Sequence, residues 1–299
     1  MSTAQRATVD ALMRQAPLDG SLPPERLRAD FEAQMATDPN PAGVRVRPSA
    51  LGGRPALTVE PDGAPVAGTI LYFHGGGWVF GSPATALRLT AALVRRTGIR
   101  AVSVDYRLAP EHPYPAAVDD GLAAYRDLLE QGVAPEHIVL AGESAGGGLA
   151  LTTLLTARDA GLPLPAAAVA LSPGLDATFS GESMTTKHDA DPLFTRAELV
   201  TLVAHYLAGQ DPDQPLLSPA RRAELAGLPP LLLQVGSNEV LLDDATRFAV
   251  RAAAAGVDVQ LDVTADVPHV FQTFEGQLEE ADAALDRAAA FITAALARA

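Results

Sequence analysis

No cysteine occurs among the 299 residues. That removes disulfides, thiol nucleophiles and thiolate metal sites, and it fits a reducing cytoplasm. Positive charge is also scarce. Only 22 Lys and Arg face 36 Asp and Glu, a formal net charge of −14. Nucleic acids and anionic bilayers are bound through basic surface, so neither a nucleic-acid nor a membrane partner is expected. No apolar run approaches the roughly 18 residues of a membrane span. Residues 1–10 are polar and lack the apolar segment of a signal peptide. Internal repeats and low-complexity tracts are missing too. What the chain does have is apolar content, 48% of its residues. This suffices for one large α/β domain, with or without a cap.

Residues 138–148 organise the rest. They read Ile-Val-Leu-Ala-Gly-Glu-Ser-Ala-Gly-Gly-Gly, a short apolar run that ends in Gly-x-Ser-x-Gly and leads into a helical pattern over 149–160. This is the layout of a nucleophile elbow, in which a tight strand-to-helix turn lifts a serine hydroxyl above a sheet. Gly142 and Gly146 suit a crowded turn, and the helix beginning under Ser144 favours negative charge there. The pentapeptide alone is common in turns. Its value depends on a base, an acid and an oxyanion hole elsewhere.

An oxyanion hole is on offer after the buried-strand run 68–73, where His74-Gly75-Gly76-Gly77-Trp78 follows. Three successive glycines are costly in entropy unless bare backbone must approach a ligand. Gly75 and Gly76 are the expected donors from this loop, beside the N–H of Ala145. Upstream, residues 1–45 carry amphipathic helical patterns with Val9, Leu12, Met13, Leu27, Phe31 and Met35, broken by Pro17, Pro23, Pro24, Pro39 and Pro41. They read as a lid or cap segment. Alternating runs at 44–47 and 56–59 around Gly52-Gly53 predict an antiparallel pair. Further strands are expected at 101–104, 166–171, 230–235 and 257–263, and helices at 84–96, 116–129, 196–207 and 278–297. Pro110, Pro113 and Pro115 fall within six residues and make a rigid bend that suits a cis bond. Residues 178–210 form a second cap segment. There Met184, Phe194, Leu199, Leu202, Val203 and Tyr206 either line a substrate pocket or pack ordinarily. His188 near Asp189 and Asp191 lacks ligand spacing and reads as solvated loop, so no metal is expected.

Taken together, His74-Gly-Gly-Gly-Trp, Tyr106-Arg-Leu-Ala-Pro-Glu-His-Pro-Tyr-Pro-Ala-Ala and Gly142-Glu-Ser-Ala-Gly-Gly, in this order and spacing, resemble the hormone-sensitive-lipase-like α/β-hydrolases, mostly bacterial carboxylesterases. The resemblance covers about residue 65 to the C-terminus. It implies a mostly parallel eight-stranded sheet with helices on both faces and a helical cap. It also implies cleavage of esters with short to medium acyl chains, without a cofactor. The resulting division is cap at 1–45 and 178–210, catalytic domain at 46–177 and 211–299. Glu143 departs from the Asp or Thr of many members. A homodimer through the last strand or C-terminal helix is an expectation of the resemblance alone.

The fold orders a triad as serine, acid, histidine, each just after a strand. His269 meets this, lying beyond the last strand in His-Val-Phe, which resembles the family's His-x-Phe. His205 falls inside a helix, His137 precedes a strand, and His112 sits in the proline bend. Two acids compete. Asp243 lies in the first turn of a helix, where carboxylates are common. Glu239 lies in the loop, and Glu239-Val-Leu-Leu-Asp243 resembles the family's Asp-Pro-Leu-x-Asp, which places Glu239 at the acid position. Glu239 is preferred, with Asp243 as the alternative. A lactone hydrolase, a natural-product deacetylase or a non-catalytic receptor could use the same frame.

Overall fold

The computed structural model describes residues 3–15, 19–20, 22–36 and 38–298; Pro17 lies outside them. The chain enters through two short helices, α1 (Thr3–Gln15) and α2 (Pro24–Met35), the second opened by its proline. Strands β1 (Val44–Leu51) and β2 (Arg54–Pro61) form an antiparallel hairpin closed at Gly52-Gly53. Six strands follow: β3 (Val66–Phe73), β4 (Ile99–Val104), β5 (Ile138–Glu143), β6 (Ala167–Leu171), β7 (Leu231–Gly236) and β8 (Val259–Thr264). They complete one eight-stranded sheet in the order β1-β2-β4-β3-β5-β6-β7-β8, and every pairing from β4 to β8 is parallel.

Strand periodicity sorts the core into two layers. Leu71 and Phe73 of β3 face α4 (Ala116–Glu130), α5 (Ala145–Asp159) and α9 (Leu242–Ala254). Ile70 and Tyr72 point the opposite way, onto α3 (Leu87–Thr97) and α10 (Glu279–Leu296). The central strands are therefore buried on both faces and read as continuous apolar runs. Between β6 and β7 lie α6 (Ser183–Thr186), α7 (Arg196–Leu207) and α8 (Pro219–Arg222). Thr195 and Glu198 start α7 with a reciprocal capping box. The peptide bonds before Pro110 and Pro115 are cis; the rest of that bend is held by Arg107 on Asp120 and by Glu111 on Arg28.

Candidate active site

Ser144 sits in the one-residue turn between β5 and α5 with φ 53° and ψ −122°. A non-glycine residue in this region is strained. The turn is tight because strand and helix nearly touch: a Cβ on Gly142 of β5 would stand 2.4 Å from the Gly146 carbonyl oxygen of α5. The strain turns the hydroxyl upward. Its Oγ lies 2.9 Å from His269 Nε2, and His269 Nδ1 lies 2.8 Å from Glu239 Oε2. The other Glu239 oxygen accepts from Ser172 Oγ at 2.7 Å and from the Gly236 N–H at 2.5 Å. Ser172 in turn accepts from the Val270 N–H at 3.1 Å. The fully buried carboxylate is thus held on three sides, and the residue after the histidine is held to the same group.

Of the two candidate acids, Glu239 is the one at the imidazole. Asp243 accepts instead from the Ser183 N–H at 3.1 Å and faces Arg247. His112 and His188 are exposed and take no part in this line of contacts. Asp191 accepts from the N–H groups of Leu193, Phe194 and Val240. It ties the segment before α7 to the residue after Glu239. Phe194, on that segment, meets the His269 ring edge-on at 5.2 Å.

The glycine loop requires a correction. The Gly75 N–H donates to Glu143 Oε1 at 2.7 Å, so it is occupied and cannot turn to a substrate. The N–H groups of Gly76 and Gly77 meet no protein acceptor among the described residues. Ala145 opens α5, where an N–H has no partner within the helix. Gly76, Gly77 and Ala145 line the same cavity as Ser144, whereas Gly75 does not. Three glycines in a row do not reveal which two face the ligand. The signal that decides is Glu143, the acid next to the nucleophile, and its partner could not be read from sequence. Below the loop, buried His74 stacks on Tyr106 at 4.1 Å, and the Tyr106 hydroxyl donates to the His74 carbonyl at 2.8 Å. Burial pushes His74 down to about 4, so it stays a neutral ring.

Glu143 is 8% exposed. Burial pushes its carboxyl up to about 7, against the opposing pull of the Tyr72 hydroxyl, the Gly75 N–H and nearby His269. The Tyr72 hydroxyl faces it without closing a full hydrogen bond, and Oε2 has no partner. Two other buried carboxyls behave alike. Asp244, which receives the N–H groups of Leu175 and Asp176, is held well above its ordinary value by burial. Asp191 is raised for the same reason.

Over Ser144 opens a cavity of about 400 Å³. Leu12 and Met13 of α1, Phe31 and Met35 of α2, and Leu199, Leu202 and Val203 of α7 contribute apolar wall, with Phe194. Met184 and Tyr206 do not reach it. Met184 packs with Phe179 and Phe194, and Tyr206 stacks on Trp78 at 4.6 Å. Arg28 of α2 donates to the carbonyls of Val79 and Ala109, which binds this helix to the glycine loop. Among the described residues no cluster of three metal-ligating side chains occurs, and no helix is long and apolar enough to cross a membrane.

Known proteins carry the same frame. A family model described as alpha/beta hydrolase fold matches residues 70–273. The chain is 46% identical over 227 residues, 76% of each chain, to an acetyl-hydrolase of Streptomyces hygroscopicus. It is 36% identical over 274 residues, 91% of this chain and 90% of the other, to an esterase of Acinetobacter venetianus. A solved esterase of the bacterial hormone-sensitive lipase family superposes with a TM-score of 0.93 at 40% identity, covering 99% of both chains. A serine strained at the strand-to-helix turn of such a sheet, with this degree of likeness along nearly its whole length, places the chain in the α/β-hydrolase family, among its bacterial hormone-sensitive-lipase members.

Proposed function

We propose that the protein hydrolyses carboxylic esters of short to medium acyl chains through an acyl-enzyme on Ser144. The observation that carries this reading is the continuous line from Ser144 Oγ to His269 and Glu239 at the floor of an apolar cavity. His269 takes the Ser144 proton as Oγ attacks the ester carbonyl, and Glu239 holds the imidazole and stabilises its charged form. The N–H groups of Gly76, Gly77 and Ala145 receive the oxyanion, each worth about 3–4 kcal/mol in the transition state. His269 then gives its proton to the leaving alcohol. Water repeats the sequence on the acyl-enzyme, and no step calls for a cofactor or metal.

In the same reading α1, α2 and the 178–210 segment act as a cap whose apolar faces hold the acyl and alcohol groups. The substrate is a small molecule, the location cytoplasmic. A homodimer would form through the β8 edge, where Leu261 and Val263 are exposed. The test is turnover of p-nitrophenyl esters from acetyl to dodecanoyl, with six- and seven-membered lactones alongside, by wild type and Ser144→Ala. Short acyl esters are expected to dominate, and the variant to lose roughly a millionfold in kcat. An active Ser144→Ala protein would sink the assignment, and lactones as the better substrates would move the substrate class.

A further inference from the structure

Among the described residues lining the cavity above Ser144, one carries a guanidinium, Arg88. It is half-buried, yet among the described residues no carboxylate, carbonyl or hydroxyl lies within hydrogen-bond or ion-pair reach of it. Other half-buried arginines find partners: Arg28, Arg96 and Arg107 pair with Glu111, Glu275 and Asp120, Arg100 donates to the Thr69 hydroxyl, and Arg251 to the Pro219 and Ala223 carbonyls. A guanidinium withdrawn from water without a counter-charge is costly, and the cost is recovered when an anion arrives.

The carboxyls that share the cavity are engaged elsewhere. Glu143 holds the Gly75 N–H, and Asp244 receives the N–H groups of Leu175 and Asp176. Asp176 accepts from Thr178 and Ser180 and faces Arg221 and Arg247. Arg88 lies seven residues before Arg95 on α3, so the two share a helix face. Arg95 meets Glu275 at 2.6 Å, in the stretch that follows His269. Two turns nearer the start of the helix, Arg88 finds no acid opposite. Thr273, Phe274 and Gln277, from the same stretch, line the cavity with it. The positive end of the α3 dipole adds to its charge.

We infer that Arg88 forms an anion subsite, and that the preferred substrates are esters bearing a free carboxylate, such as hemiesters of dicarboxylic acids. This rests on the esterase reading. The planar guanidinium fork matches a carboxylate in two-point contact, where an apolar wall offers nothing to a charge. Because the chain carries a net charge of −14, long-range electrostatics disfavour an anionic substrate, and recognition must come from a local contact.

The test compares two pairs of esters with wild type, Arg88→Met and Arg88→Lys. Mono-p-nitrophenyl glutarate against p-nitrophenyl butyrate puts the carboxylate on the acyl side. 4-Acetoxybenzoate against its methyl ester puts it on the leaving group. For at least one pair, Arg88→Met is expected to lower the ratio of kcat/KM on the charged ester to that on the neutral ester about tenfold, through KM. Arg88→Lys should restore part of it. The pair that responds locates the subsite on the acyl or the alcohol side. Ratios unchanged by Arg88→Met in both pairs overturn the inference, as does a wild type that accepts the neutral esters and neither charged one. A wild type inert on all four esters overturns the esterase reading itself, and the subsite with it.

Discussion

The floor and the walls of the cavity are built on different principles. On the floor, Ser144, His269, Glu239 and the glycine loop stand on strand ends, and every side chain of the Ser144–His269–Glu239 line is hydrogen-bonded. The walls come from α1, α2 and α7, which present Leu, Met, Phe and Val with few polar contacts. Leu12 on α1 is even 51% exposed. Hydrogen bonds fix direction as well as distance, whereas apolar contact fixes only volume. The floor is therefore suited to chemistry that tolerates little displacement, and the walls to selecting substrates by size.

The comparison breaks most sharply at the acid. Glu239→Gln should lower kcat by roughly 10⁴-fold by leaving the imidazole unsupported, while Asp243→Asn stays near wild type. Comparable losses in the two variants, measured by steady-state kinetics, would remove the distinction drawn between these carboxyls. Next comes the glycine loop. A Cβ on Gly76 would lie 2.0 Å from the Phe80 carbonyl oxygen, so Gly76→Ala should displace the oxyanion donors and cost about 10²–10³ in kcat. Gly77→Ala would meet only the end of the Leu202 side chain, at 2.6 Å, although φ is +59° there, and its loss should be the smaller of the two.

Glu143 tests the floor through stability. Its carboxyl is raised from 4.5 to about 7 in the fold, so between these values the folded state binds more protons than the unfolded chain. Stability must then fall as pH rises through that window, by up to about 3 kcal/mol, with the full penalty present above pH 7. Glu143→Gln keeps an acceptor for Gly75 and removes the charge. Urea unfolding at pH 5 and pH 8 should show this variant losing less stability than wild type over the interval. An equal loss would mean that Glu143 is not the group responsible. The smallest effect belongs to the wall. Phe31→Ala enlarges the cavity and should shift acyl preference toward longer chains by about tenfold or less in kcat/KM, with kcat on the best substrate little altered.

Much of this was legible in the residues because the backbone itself imposes them. The alternation in 44–47 and 56–59, the buried runs that became β3 to β7, and the glycines flanking Ser144 are consequences of pleat, burial and crowding, each local in sequence. The order of serine, acid and histidine singled out His269 and favoured Glu239. The misread residue was Gly75, and the reason is non-local: its N–H is claimed by Glu143, 68 residues away. The same holds for Ser172, which orients Glu239 across 67 residues. Nor could periodicity decide which apolar residues of 178–210 face the cavity. Leu202 does and Tyr206 does not, though they lie one turn apart on α7, because Trp78 claims the tyrosine ring.

The first helix sits where handling of the protein will be felt. Val9 packs with Val267 and Phe271 on either side of His269, Arg6 pairs with Asp266 at 2.8 Å, and Leu12 and Met13 stand in the cavity wall. At the other end of the molecule, Leu296 of α10 lies against Gly68 near the start of β3, beneath the sheet. An affinity tag or a surface linkage fused ahead of α1 would thus crowd the entrance and lean on the loop of the base. The same fusion after α10 would anchor the molecule by its underside and leave the entrance facing solution.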